Sequence, residues 1–421
     1  MTYLEQYDSV PNDRPQDKVA LITRWIAAEW RPFYEELREN RPILAMPGPT
    51  LVTRFHDVQE VLSRADAFSV RLYQRSMDPV VDGPFMLARD LTEVNWREKG
   101  IMRAMLQLED LPRVREISRR CADEAFAAAA TEGRIEVVSK LGRYTPVTVC
   151  GEYFGFPGPA RETMCRWSVS FQSDMFKNLR NDPQIHAASV ESGQEMMAYL
   201  RELLEEKRKR ADQTSADTIF DRLVKANLSE SIRFDDHRLL SNVAGLLIGS
   251  VETTSQAIVQ AVQQILMRPD IFSAVLEAAQ NDDDELFDRY VMEALRFNPI
   301  NPLISRFCES DYVIAAGSSR AHRVPKGTMV FACTPSAMFD AEELPQPDEF
   351  RVDRPAYHYM HFGYSHHTCL GQHVAKTMIC EVVKRILLQP NIRLIEGDEG
   401  KIDFQGTPFP ERFVVEFDKT C

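Results

Sequence analysis

Near its C-terminus the chain reads Phe362-Gly363-Tyr364-Ser365-His366-His367-Thr368-Cys369-Leu370-Gly371. One cysteine stands in a glycine-flanked loop. From Gly371 an amphipathic run, Gln372-His373-Val374-Ala375-Lys376 and onward, continues to about Leu388. A thiol at a helix N-terminus meets the positive end of the helix dipole and outward backbone N–H groups, which favour the thiolate. A loop built this way offers an anionic sulfur to a large electrophile, and haem iron suits it. The ordinary alternative is a small buried hydrophobe. Eight cysteines are scattered along the chain (Cys121, Cys150, Cys165, Cys308, Cys333, Cys369, Cys380 and Cys421). None forms a C-x-x-C pair, which disfavours zinc and thioredoxin-like chemistry.

Two further stretches carry groups able to do chemistry. Glu293-Ala294-Leu295-Arg296 places a carboxylate and a guanidinium three residues apart, on one helical face, where they form a charge-assisted pair. Gly249-Ser250-Val251-Glu252-Thr253-Thr254 lies inside the apolar run from Leu239 to Val262, which reads as a buried helix. A threonine hydroxyl there bonds the carbonyl four residues back and opens the ladder locally. Standing alone, each stretch is equally an ordinary helix-surface or capping pattern.

Together and in this order they resemble the cytochrome P450 superfamily. Phe362, Gly363, His367, Cys369 and Gly371 match its haem-binding loop, Phe-Gly-x-Gly-x-His/Arg-x-Cys-x-Gly; Ser365 stands where the family usually has glycine. A positive φ at that position makes the serine costly. The resemblance implies haem b ligated by Cys369, with His367 bonded to a propionate and Phe362 packed under the sulfur. Ala375 belongs to the same cofactor-binding stretch. Glu293 and Arg296 resemble the Glu-x-x-Arg pair of the K helix, with Arg354 from Phe350-Arg351-Val352-Asp353-Arg354-Pro355 as the third, structural member. Arg306, in Ile304-Ser305-Arg306, occupies the position of a propionate-binding arginine beyond that helix. The Gly249–Thr254 stretch is similar to the oxygen-activating segment of the long I helix. By resemblance Thr253 hydrogen-bonds dioxygen and Glu252 helps relay protons. Ser250 replaces the usual glycine there, which implies a narrower or differently hydrated groove. The C helix matches less regularly: Trp96, Lys99 and Arg103 share a face at offsets of three and seven and are the propionate candidates. Gly100 within it lowers helix propensity by about 1 kcal/mol relative to alanine.

The resemblance spans nearly the whole chain and implies a haem-thiolate monooxygenase. It would use dioxygen and electrons from a ferredoxin or flavodoxin-type donor with its reductase. Substrate-cavity positions follow by analogy: Phe85, Met86, Phe171, Met175, Leu246, Ile300, Asn301, Leu303 and Phe409. Their apolar character suits a largely hydrophobic small molecule; Asn301 and Ser173 are candidate polar anchors. Two other readings stand beside it. One is atypical chemistry on the same fold (ring coupling, nitration, desaturation or peroxygenase turnover). The other is a non-catalytic haem sensor or carrier, which the intact Glu252-Thr253 pair disfavours because binding alone needs no proton delivery.

These residues need a scaffold of 421 residues, with 44% hydrophobic and 9% aromatic content, ordinary for a globular core. No linker, charge block or repeat divides it. Helical periodicity dominates from about Leu111 to Leu295, and short β-type runs cluster near Leu51 and from Tyr312 to Ala332. The expected fold is mainly α with a smaller β-rich part. The resemblance implies the P450 fold, a triangular helical prism with haem between the I and L helices, in a single domain over 1–421. The β-rich part is expected at about 40–70, 304–335 and 390–418, the helical part at about 85–300 and 370–388. The N-terminus has neither a basic start nor an apolar core, and no uncharged apolar stretch of about 18 residues occurs. No export signal and no membrane anchor are therefore expected, and unpaired cysteines fit a reducing cytoplasm. A net charge of −13 disfavours nucleic acid as a partner. Arg113, Arg115, Arg119 and Arg120, with Lys376, Lys384 and Arg385, nevertheless suggest a basic docking face for an acidic electron donor.

Overall fold

Five short strands, from the two β-type runs the sequence shows and the stretches beside them, join in one sheet. β1 (Ile43–Ala45) and β2 (Thr50–Val52) form an antiparallel hairpin, Leu44 opposite Leu51. β2 then runs parallel to β8 (Met329–Ala332), Leu51 opposite Phe331. β5 (Ile304–Cys308) pairs antiparallel with β8 on its other side, and β3 (Phe68–Ser69) closes the edge, giving the order β1-β2-β8-β5-β3. A separate hairpin joins β6 (Tyr312–Ile314) to β7 (His322–Val324). The computed structural model describes residues 1–178, 181–211 and 215–419; Cys421 lies outside the described residues.

This sheet belongs to a compact unit made of residues 1–72, 89–91 and 299–369. Its N-terminal helices are Tyr3–Ser9, Pro15–Ala28 and Trp30–Asn40, and the first two carry start signals in the sequence. Thr2 and Glu5 form a capping box, and Pro15 takes the first helical position. Their inner faces bury Trp25, Phe33 and Tyr34 against Leu44, Leu51 and Cys333. The Trp25 and Phe33 rings lie 5.3 Å apart, within the range in which aromatic pairs add to simple burial.

Residues 73–88, 92–298 and 370 onward form a second, helical unit. Its axis is the helix Asp236–Leu266, apolar on most sides and buried along most of its length. Asp235 caps it by accepting from the Arg238 N–H at 2.7 Å. The helices Arg161–Gln172, Pro183–Lys209 and Gln372–Leu387 pack on it, and Leu111–Ala129 packs on the last of these. Three π-helical turns, Val138–Gly142, Cys150–Phe154 and Ser173–Lys177, interrupt regular helix in this unit. At Gly142 the chain comes so close to the axis that an added Cβ would meet Ser255 Oγ at 2.5 Å.

One expected grouping changes. The segment 390–418 was assigned to the β-rich part together with 304–335. Instead β10 (Val414–Glu416) pairs with β4 (Arg134–Glu136) and β9 (Arg393–Leu394), making a small antiparallel sheet inside the helical unit. Strand partners are chosen by backbone hydrogen bonding across the fold, and the composition of a short strand does not announce its partner.

The helix Asp284–Phe297 buries both Glu293 and Arg296 completely. Arg296 donates Nε to Glu293 Oε2 at 2.9 Å and Nη2 to Oε1 at 2.7 Å, a two-pronged pair out of contact with water. Removing one partner strands the other charge. Glu293→Ala is therefore expected to cost about 3–5 kcal/mol. A lowered denaturation midpoint and a fall in the yield of folded protein measure it; an unchanged midpoint would contradict the assignment.

Candidate active site

The cysteine loop is shaped by two left-handed residues. Gly363 has φ 76° and Ser365 has φ 61°. Between them and the cysteine the backbone closes on itself: the Cys369 N–H donates to Phe362 O at 2.8 Å, and the Thr368 N–H to Ser365 O at 3.0 Å. The Thr368 hydroxyl donates to the same carbonyl at 2.6 Å. Cys369 is exposed at the end of this loop, whereas the other six described cysteines are buried or half-buried. Burial raises the thiol pKa of all six, to about 12 for Cys150 and Cys333 and to about 11 for Cys165. Among the described residues Cys369 is thus the thiol presented to a ligand.

Beside it, His367 Nε2 lies 2.9 Å from Asp90 Oδ1, and His366 Nε2 lies 3.5 Å from the same oxygen. Asp90 Oδ2 accepts from the Val70 N–H at 2.8 Å. Burial pushes the His367 pKa down to about 4, the Asp90 hydrogen bond only partly opposing it. Burial acts to raise the Asp90 pKa, but hydrogen bonds from His366 and His367 outweigh it and hold the carboxyl well below its usual range. The pair is therefore a neutral imidazole donating to a carboxylate. Asp90 lies far from the loop in sequence and carried no signal of its own. Arg306, on β5, is buried, donates Nη1 to Ser305 O at 3.0 Å, and is close enough for its charge to depress His367 further. Arg354 is fixed by carbonyls: Nη1 to Pro345 O at 2.9 Å, Nη2 to Gln346 O at 2.6 Å and to Glu349 O at 3.1 Å.

In the helical unit the axis helix carries two neighbouring side chains facing different ways. Thr253 is partly exposed and donates to the Gly249 carbonyl at 2.7 Å, beside an exposed Gly249. Successive helical residues are turned by about 100°. Glu252 consequently points elsewhere and is 1% exposed. Arg143 grips it, Nη2 to Oε2 at 2.9 Å and Nε to both oxygens at 3.1 Å. The same guanidinium holds Glu411 with two bonds of 2.8 Å. Burial pushes the Glu252 pKa up to about 7, with Arg143 pulling against it and Glu411 adding to the rise. Ser250 faces away from the Gly249–Thr253 notch: its hydroxyl lies 3.4 Å from the buried Cys150 sulfur and 3.4 Å from the Leu247 carbonyl.

A family model described as Cytochrome P450 matches residues 16–408. The chain belongs to the cytochrome P450 family. It is 28% identical over 379 residues to the mycinamicin IV hydroxylase/epoxidase of Micromonospora griseorubida, covering 86% of this chain and 88% of that protein. It is 29% identical to the vitamin D(3) 25-hydroxylase of Pseudonocardia autotrophica, with 82% of each chain covered. Its fold is similar to the P450 haem domain of Tepidiphilus thermophilus, with a TM-score of 0.79, 20% identity, and 94% and 95% of the two chains covered. This P450 is accordingly a monooxygenase with haem as cofactor, and Cys369, the one exposed thiol among the described residues, is the soft donor such a cofactor needs.

Other predicted positions of this P450 fall as follows. On the helix Glu93–Met105, Lys99 is buried while Arg103 is exposed and Trp96 is 67% exposed, so the three do not share one environment. The helix is held instead by Glu98, fully buried, which accepts from Arg238 Nε at 2.5 Å and Asn242 Nδ2 at 2.9 Å. Gly371 precedes the helix Gln372–Leu387 with φ −90°, so it needs no glycine for conformational reasons; its carbonyl accepts from the Ala375 N–H at 2.8 Å. Phe85, Met86, Phe171, Met175 and Leu246 join one buried cluster, and Phe409 is buried in the turn before β10. Ile300 and Leu303 are half-buried in the sheet unit, and Asn301 is exposed.

The expected basic face is not simply basic. Arg119 pairs with Glu116, Arg120 with Glu152, and Arg115 with Glu381. Lys376 pairs with Asp288, Lys384 with Asp282 and Asp284, and Arg385 with Asp123. Arg113 donates to the carbonyls of Asp217 and Glu152.

Two predictions follow from these geometries. A left-handed conformation costs a non-glycine residue about 1–2 kcal/mol, part of which the greater freedom of an unfolded glycine returns. Ser365→Gly should be neutral to stabilising by up to about 1 kcal/mol, and Ser365→Val destabilising by more than that, in thermal melts. The Glu252 pKa is raised above its unfolded value. Its favourable contribution is complete at low pH and is lost as pH climbs from about 4.5 to about 7. Wild type should therefore lose stability relative to Glu252→Gln between about pH 5 and pH 8; a parallel pair of curves would refute the buried position.

Proposed function

We propose that this chain, as one P450 domain over residues 1–421, oxygenates a largely hydrophobic small molecule with electrons from a separate donor. The exposed Cys369 thiol at the end of a left-handed loop is the observation that carries this reading. The relatives named above, a mycinamicin IV hydroxylase/epoxidase and a vitamin D(3) 25-hydroxylase, support hydroxylation or epoxidation. A role in secondary metabolism or catabolism fits them. The electron donor is of ferredoxin or flavodoxin type, with a reductase. The alternating charges along Leu111–Ala129 and Gln372–Leu387 suit docking through matched ion pairs more than through one positive field. A cytoplasmic location is part of this reading. No helix among the described residues is long and apolar enough to cross a membrane.

In this reading Cys369 would ligate the haem iron, with His367 and Arg306 serving its propionates. Phe362, Gly363, Gly371 and Ala375 shape the bed. Haem, when bound, supplies an iron at which dioxygen is reduced and cleaved, one atom passing to the substrate and the other leaving as water. The residues handle protons. Thr253 donates its own hydrogen to Gly249 O, so its oxygen is left to accept from an incoming water and orient it. Glu252 has a pKa of about 7, which lets it both hold and release a proton near neutrality. Arg143 keeps that carboxyl off the Thr253 side, so a proton travels between them by water.

The reduced carbon monoxide complex should absorb near about 450 nm, and Cys369→Ser should abolish that band. Thr253→Ala should keep the band yet lower product formed per NADH consumed by at least about tenfold, the balance appearing as peroxide. Unchanged coupling in that variant would remove Thr253 from proton delivery.

A further inference from the structure

The π-helical turn Ser173–Lys177 gathers several pieces of the helical unit. The Gln172 side chain donates to the Ile248 carbonyl of the axis helix. Ser76 Oγ donates to Asp174 O at 3.5 Å, and Phe176 packs on Tyr73 with ring centroids 5.6 Å apart. On the far side Lys177 Nζ stands 5.8 Å above the centre of the Phe409 ring. Of the positions that the resemblance assigns to the substrate cavity, Met175 lies within this turn, Phe171 and Leu246 beside it, and Phe409 under Lys177. Extra-residue turns of this kind recur at functional sites because they aim a side chain where regular helix cannot.

Most polar groups of the turn are satisfied. Asp174 accepts from Asn178 at 2.9 Å and lies 2.8 Å from His186 Nδ1. Lys177 is different. It is half-buried, and no ion pair to it is found among the described residues. Arg143, which reaches the Pro410 carbonyl beside Phe409, is already taken by Glu252 and Glu411. Burial alone depresses the Lys177 pKa. An aromatic face returns only part of the cost of burying an ammonium. A counter-charge from outside the chain would complete the site. A lone ammonium matches one negative charge, whereas phosphate sites converge several donors.

We infer that Lys177, seated on Phe409, anchors a carboxylate carried by an otherwise apolar substrate. This deepens the monooxygenase reading by naming a substrate class and rests on that reading for its catalytic consequence. The binding itself can be measured without turnover.

The test is calorimetric titration of the purified holoenzyme with matched acid and neutral pairs. These are dodecanoate and methyl dodecanoate, 4-phenylbutyrate and its methyl ester, and indole-3-acetate and indole-3-acetamide. At least one acid should bind wild type about ten- to a hundredfold tighter than its neutral partner. Lys177→Met should erase that preference, and Lys177→Arg should retain part of it. Because Lys177→Met removes a half-buried charge with no ion-pair partner among the described residues, its melting temperature should equal or exceed that of wild type, which separates lost binding from misfolding. No acid preference in any pair, or a preference that survives Lys177→Met, overturns the inference. Absence of the 450 nm band in wild type would instead defeat the monooxygenase reading.

Discussion

A single guanidinium ties the working parts of the helical unit together. Arg143 leaves the π-turn Val138–Gly142 and clamps Glu252 on the axis helix and Glu411 in the turn before β10. Two carboxylates share one cation in a place largely closed to water, so their mutual repulsion and their desolvation are both offset by the same fork. The fork also fixes where Phe409 sits, two residues from Glu411, and hence what Lys177 faces. One interaction therefore sets a buried carboxyl, the position of Phe409 and the surroundings of the Lys177 ammonium.

The axis helix shows how a mostly apolar element carries polar function. Thr253 and Glu252 are adjacent in sequence, yet one opens onto an exposed notch and the other is sealed. Helical geometry forces that divergence. Gly249 faces open space on the notch side, with nothing within 4 Å of an added Cβ, whereas Gly245 lets the Phe85 ring pack so close that a Cβ would come within 2.7 Å of it. The Ser250 hydroxyl, at the position where the resemblance implied a narrower or differently hydrated groove, lies 3.4 Å from the Cys150 sulfur.

The cysteine loop makes the opposite compromise. It spends backbone strain at Ser365 to present a sulfur that the remaining described thiols, held by burial, do not present. Strain of this kind persists only where surrounding bonds over-determine the conformation. The closures at Phe362–Cys369 and Ser365–Thr368 supply that constraint.

By itself the sequence determined the local facts. The apolar run around Leu239–Val262 became the helix Asp236–Leu266, and the run after Gly371 became Gln372–Leu387. The i,i+3 spacing became a bidentate Glu293–Arg296 pair, and Thr253 bonded the carbonyl four residues back. These depend on helical period and on groups within one turn of each other, which spacing encodes. Tertiary structure alone decided the partners of distant residues: Arg143 for Glu252, Asp90 for His367, β4 for β10, Phe409 for Lys177, and carboxylates for the cations of the expected basic face. Those pairings join segments tens to hundreds of residues apart. A charge or an unpaired strand edge takes whichever complement the packed chain brings within reach, and linear spacing carries no record of that choice.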